Sequence, residues 1–234
     1  MASDRLTVDT ADGSFSAYVA SPTGTPTGAV IVLQEIFGVN AVMRGITDRF
    51  AEQGYLAVCP DLFWRIEPGI DITDQTEAEM AKAFELFGTF DVDKGIEDVG
   101  ATLKAVRAAY PTIAKTGAVG FCLGGLLAYL TGCRTDADAA VGFYGVGIQD
   151  KLGEADGKTT PMLLHIAGQD EFVPAEAQAA IQAHFKSVET VTTALYPDQD
   201  HAFARQGGAH FDAQAAKTAM DRTDAFFSVY LNAV

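Results

Sequence analysis

Three cysteines and 16 Lys and Arg against 31 Asp and Glu mark what this 234-residue sequence is short of, and each scarcity excludes something. Cys59, Cys122 and Cys133 are odd in number and fall at no disulfide or metal-ligand spacing. That excludes a disulfide framework and fits a reducing compartment, where a special cysteine is special for its reactivity. The deficit of basic residues leaves a formal net charge of −15. A surface so acidic repels phosphate backbones and anionic lipid, which excludes nucleic acid and membranes as expected partners. It also repels small anions, so a site for an anionic substrate needs a local cation. No apolar run approaches the roughly 18 residues of a membrane span. Residues 1–13 carry neither the basic flank nor the apolar stretch of a secretory signal, so the expected location is the cytoplasm.

What is present is ordinary globular material, 48% apolar and 20% charged, with no low-complexity linker. A chain of this length buries roughly 70% of its unfolded surface in one core. The expectation is a single domain over 1–234. Alternating segments at 6–8 and 15–19 suggest an antiparallel edge pair, and the continuous apolar run 29–33 suits a strand buried on both faces of a parallel sheet. Helices are expected at 42–53, 92–110, 123–130, 175–185 and 214–231. Strands are expected at 55–58, 117–121, 139–144, 162–166 and 191–196. The stretch between Asp61 and Val92 reads as a variable excursion. Strand and helix alternation of this kind implies a mostly parallel sheet covered on both faces, with its chemistry at the carboxyl ends of the strands.

One such end stands out, Gly120-Phe121-Cys122-Leu123-Gly124-Gly125, where a strand runs directly into a helix. A nucleophile on this sharp turn needs small residues two before and two after it, and Gly120 and Gly124 occupy both places. The following helix aims its free N–H groups at the sulfur and favours thiolate. Taken alone, the six residues also suit a small buried cysteine among packing glycines. A cysteine nucleophile requires a base, and the base an acid to hold its tautomer, in the chain order nucleophile, acid, histidine. Asp170 follows strand 162–166 and His201 follows strand 191–196, so the order holds.

With these residues in view, the chain resembles the dienelactone hydrolase (carboxymethylenebutenolidase) family of α/β-hydrolases. The motifs are Gln34-Glu35-Ile36-Phe37-Gly38-Val39-Asn40, Cys59-Pro60-Asp61-Leu62, the Cys122 segment, Tyr144-Gly145-Val146-Gly147, Gly168-Gln169-Asp170, Val173-Pro174 and His201-Ala202-Phe203-Ala204-Arg205. The resemblance implies an α/β-hydrolase fold and a Cys122, His201, Asp170 triad that attacks a lactone or small activated ester. It also implies an oxyanion hole from the backbone N–H groups of Ile36 and Leu123, and Arg205 as the binder of a substrate carboxylate. Glu35 would hold the resting thiol and swing away when substrate arrives. Apart from the resemblance, Glu35 reads as an acidic residue near a helix start.

The remaining candidates weigh less. His165 reads as a core residue within a strand, His184 as mid-helix, and His210 as opening the final helix. Asp198, Asp200 and His201 lie on too short a stretch to suggest a metal, and no metal or other cofactor is expected. Phe37, Trp64, Phe84, Phe87, Phe121, Tyr144 and Phe203 are candidate pocket aromatics. The sequence departs from the family in the excursion, where Met80 and Phe84 stand in place of a second substrate-binding arginine and a tyrosine, with only Lys82 nearby. The expected partner is a small lactone or ester, bound by a monomer or weak homodimer. A thiol redox or alkylation sensor and a non-catalytic binder of small acids are the alternatives.

Overall fold

A computed structural model describes residues 3–232. Strands β1 (Ser3–Thr10) and β2 (Gly13–Ala20) form an antiparallel hairpin. Then come β3 (Ala29–Leu33), α1 (Ala41–Glu52), β4 (Leu56–Pro60), α2 (Glu77–Thr89) and α3 (Val92–Ala109). They are followed by β5 (Thr116–Phe121), α4 (Leu123–Arg134), β6 (Ala139–Phe143), β7 (Met162–Ala167), α5 (Ala175–Phe185), β8 (Val191–Tyr196) and α6 (Ala213–Tyr230). The sheet order is β1-β2-β4-β3-β5-β6-β7-β8. β2 meets β4 antiparallel, and every pairing from β4 to β8 is parallel. This is the α/β-hydrolase fold that the strand and helix alternation and the motifs implied. Among the described residues no helix is long and apolar enough to cross a membrane.

The pleat of β3 shows why its run is apolar throughout. Ala29, Ile31 and Leu33 join the core under α3, α4 and α5, whereas Val30 and Val32 join the core under α1 and α6. Successive side chains of a strand point to opposite faces, so a strand covered on both sides has no position for a polar residue. Helix starts are fixed by their caps. Asn40, Asp91 and Asp212 accept hydrogen bonds from the N–H groups of Met43, Lys94 and Ala215, at 3.1, 3.0 and 2.8 Å.

Two expectations need correction. The excursion contains the helix α2, whose burial is slight, with only Ala83 and Leu86 fully covered. A capping box starts it: Thr76 accepts from the Glu79 N–H, and the Glu79 carboxylate accepts from Thr73 and Thr76. His210 lies outside the final helix, because Asp212 caps α6 and leaves His210 in the preceding loop.

Candidate active site

Three residues other than glycine have positive φ among the described residues, Cys122 at 56°, Tyr144 at 39° and Ala202 at 62°. Each follows the carboxyl end of a strand, β5, β6 or β8. Backbone in this region costs about 1–3 kcal/mol per residue and persists only where its surroundings over-determine it. The restraint at Cys122 comes from its glycines. A side chain on Gly120 would collide with the Gly124 backbone, and one on Gly124 with the Leu33 and Gln34 carbonyls at the end of β3. Gly125 is hemmed in the same way by the Phe143 carbonyl. β3, β5 and α4 therefore meet backbone to backbone. Cys122 sits at the N-terminus of α4 without using its side chain as a cap, so the thiol is left for other work. The Leu123 N–H opens the helix and has no intrahelical acceptor.

His201 stands in the turn after β8, and its Nδ1–H donates to Asp170 Oδ2 at 2.8 Å. The other Asp170 oxygen accepts from the N–H groups of Phe172 and Val173, at 2.9 and 3.3 Å. One carboxylate thus shapes its own loop and orients the imidazole. Nε2 remains as the ring nitrogen available to Cys122. Burial alone would depress the imidazole, yet the hydrogen bond to Asp170 and the adjoining Cys122, with the charges of both, raise its pKa to about 10. Phe172 and Tyr144 pack edge-on against the ring, with centroids 4.8 and 5.1 Å away.

Glu35 lies just past β3 and is almost wholly buried, which pushes its carboxyl group above the ordinary range although Arg205 and His201 oppose the shift. Its Oε2 accepts from Arg205 Nη1 at 3.4 Å, and Oε1 has no hydrogen-bond partner among the described residues. The hydrogen bond that Glu35 makes here is thus to Arg205, where the resemblance has it hold the resting thiol. A buried carboxylate is stabilised by the nearest cation, and that cation is Arg205. The guanidinium also lies 5.0 Å from the Phe37 ring centroid. The Tyr144 hydroxyl is buried without a partner, and burial raises its pKa well above the usual value.

Cys122, His201 and Arg205 open into a cavity of about 370 Å³. Ile36, Phe37, Met80, Phe84, Phe87, Cys122, Phe172, His201 and Arg205 are among the residues lining it. Phe37, Phe84 and Phe87 thus line the pocket as the sequence suggested. Trp64, Phe121, Tyr144 and Phe203 do not: Trp64 stacks on Phe15 at 5.3 Å, and Phe121, Tyr144 and Phe203 are core. Lys82 turns away from the cavity to Glu67 at 2.8 Å. His165 is buried, hydrogen-bonded to Tyr196 and Thr223, and depressed by burial to about 3. Cys59 and Cys133 are buried thiols pushed up by desolvation to about 12 and about 11. Among the described residues no group of three or more His, Cys, Asp or Glu side chains is arranged to hold a metal ion.

Sequence reasoning missed two residues. Phe172, beside His201, was readable only as part of the Asp170 loop. Asp74, in the loop before α2, donates nothing to any motif, yet its Oδ2 accepts from Arg205 Nη2 at 2.9 Å. Nothing in the local sequence signals a pairing across such a span.

Residues 15–231 match the family model for the dienelactone hydrolase family. A protein of Azospirillum brasilense, provisionally named a carboxymethylenebutenolidase, is 50% identical over 94% of this chain and 95% of its own length. The carboxymethylenebutenolidase of Pseudomonas putida is 37% identical over 95% of this chain and 94% of its own length. A solved Klebsiella pneumoniae structure, provisionally named a dienelactone hydrolase, superposes with a TM-score of 0.86 at 24% identity. It covers 98% of this chain and 99% of its own and supports the fold.

Proposed function

The chain belongs to the dienelactone hydrolase family and is a hydrolase of that kind, and from that premise we propose that it works through a cysteine acyl-enzyme, with Cys122 as nucleophile, His201 as acid and base, and Asp170 as the residue that orients the imidazole. The observation that carries this reading is the 2.8 Å bond from His201 Nδ1 to Asp170 Oδ2, which leaves Nε2 toward a thiol placed on a strained turn at a helix N-terminus.

In the first half-reaction the Cys122 thiol yields its proton to His201 Nε2 and the sulfur adds to the substrate carbonyl. The oxyanion that forms is held by the backbone N–H groups of Leu123 and Ile36, where one donor is worth about 3–4 kcal/mol. The carbon–oxygen bond of the ester then breaks, and the imidazolium protonates the departing oxygen. In a lactone that oxygen stays tethered to the acyl group as the ring opens. A thioester on Cys122 remains. Water attacks it as His201 accepts the proton, the carbon–sulfur bond breaks, and proton return restores the thiol. Asp170 stabilises the imidazolium throughout without taking its proton.

The test is hydrolysis of p-nitrophenyl acetate and of a lactone series by Cys122→Ala and His201→Ala. Both variants should lose activity while keeping the wild-type circular dichroism spectrum. Retention of more than a few percent of activity by folded Cys122→Ala would remove the nucleophile assignment. A thiol sensor would oxidise at Cys122 without steady turnover, and a non-catalytic binder would form no acyl adduct.

A further inference from the structure

Resting on the hydrolase reading of the same cavity, we propose that Asp74 sets its charge selectivity, so that the preferred substrate is an uncharged, apolar lactone or ester over one bearing a carboxylate.

Arg205 lines the cavity, and its charge is already met from two sides. Asp74 Oδ2 lies 2.9 Å from Nη2 and Glu35 Oε2 lies 3.4 Å from Nη1. These are enclosed pairs: the side chains of Arg205, Asp74 and Glu35 are 13, 12 and 2% exposed. Water therefore does little to screen them. Asp74 is also held in place. It sits between Thr73 and Thr76, both bonded to Glu79, and its Oδ1 accepts from Gln75 Nε2 at 2.6 Å. The capping box that starts α2 thus presents the carboxylate to the guanidinium.

The other cation of the lining is His201, whose charge is met by Asp170 at 2.8 Å, and no further Lys or Arg compensates among the described residues lining the cavity. His210 at the mouth faces Asp200 at 3.3 Å. Glu171 adds another carboxylate to the lining. Met80 faces the cavity from α2, while Lys82 on the same helix is turned outward to Glu67 and Glu85. The rest of the wall, Ile36, Phe37, Phe84, Phe87, Val146 and Phe172, is apolar. A substrate carboxylate approaching Arg205 would share it with Asp74. Two carboxylates about 7 Å apart across one guanidinium, at an effective dielectric of about 20, repel enough to lower affinity between tenfold and a hundredfold. A neutral acyl group meets no such repulsion and buries apolar surface against α2.

The matched pair for the test is carboxymethylenebutenolide and its methyl ester, which differ in the one charge. For the wild-type protein kcat/KM should favour the methyl ester, and in Asp74→Asn the ratio of the two values should shift at least tenfold toward the free acid. Asp74→Ala should shift it in the same direction, which separates the charge from the asparagine side chain. Calorimetric binding of both compounds to the Cys122→Ala background, with and without Asp74→Asn, reads the same selectivity without turnover and should show the same shift. A wild-type preference for the free acid, or a ratio unmoved by both Asp74 substitutions, overturns the proposal. Absence of turnover of either compound by the wild-type protein would instead count against the hydrolytic mechanism, and the binding ratio would still decide the role of Asp74.

Discussion

Replacing Asp170 by asparagine changes one oxygen to an NH2 group and little else in shape. Oδ1 can go on accepting from the Phe172 and Val173 N–H groups, so the loop should keep its course. The amide nitrogen then faces His201 Nδ1, where an acceptor stood at 2.8 Å. Two donors cannot bond, so the imidazole is driven to carry its proton on Nε2, the nitrogen that must accept from the thiol. A wrong tautomer of this kind costs about 10⁴ in kcat. The lost charge-assisted bond is worth about 1.5–3 kcal/mol. For a chain of this size that corresponds to a fall in Tm of about 3–12 °C. The pH dependence has a definite sign. His201 is raised from 6.5 to about 10 in the folded protein, so its contribution to stability is complete below pH 6.5 and is lost as pH rises toward 10. In Asp170→Asn that alkaline loss should shrink. Steady-state hydrolysis of p-nitrophenyl acetate and thermal melts from pH 6 to 10 read both effects. Activity within tenfold of wild type, or an unchanged alkaline slope of Tm, would refute the assigned role of the Asp170 and His201 pair.

Glu35→Gln should speed alkylation of Cys122 by iodoacetamide, with the gap between the two rate profiles opening as Glu35 ionises, because an anion near the sulfur opposes thiolate. Equal profiles would make Glu35 a structural acid serving Arg205. His165 is depressed by burial from 6.5 to about 3, so it contributes stability above pH 6.5 that is lost as pH falls toward 3. His165→Gln should flatten the acid limb of a Tm against pH curve, and a limb as steep as wild type would place that loss on other groups.

The legible parts of the fold were those whose physics is local. The run at 29–33 could only be a strand covered on both faces, and α5 and β8 coincide with the expected 175–185 and 191–196. Helix α2 escaped notice because it buries little and turns Met80, Phe84 and Phe87 toward the cavity, which blurs its amphipathic pattern. The N-cap Asp212 was a readable sign that α6 begins after His210, and its bond to the Ala215 N–H supplies the reason. At the site, the order of Cys122, Asp170 and His201 was visible because each ends a strand. Trp64 and Asp74 were not readable, since their partners Phe15 and Arg205 come from distant segments. Composition carries no record of which face an aromatic ring takes or which carboxylate reaches a given guanidinium.

The claim that hydrolysis proceeds through Cys122 is tested most directly by acid-quenching the protein during turnover of a slowly deacylated p-nitrophenyl ester, then digesting it and weighing the peptides. The expected result is an acyl mass on the peptide containing Cys122, absent from Cys122→Ala and accumulated in Asp170→Asn if deacylation is the slower step there. Steady turnover with no adduct on Cys122, or an equal adduct on Cys59 or Cys133, would contradict it.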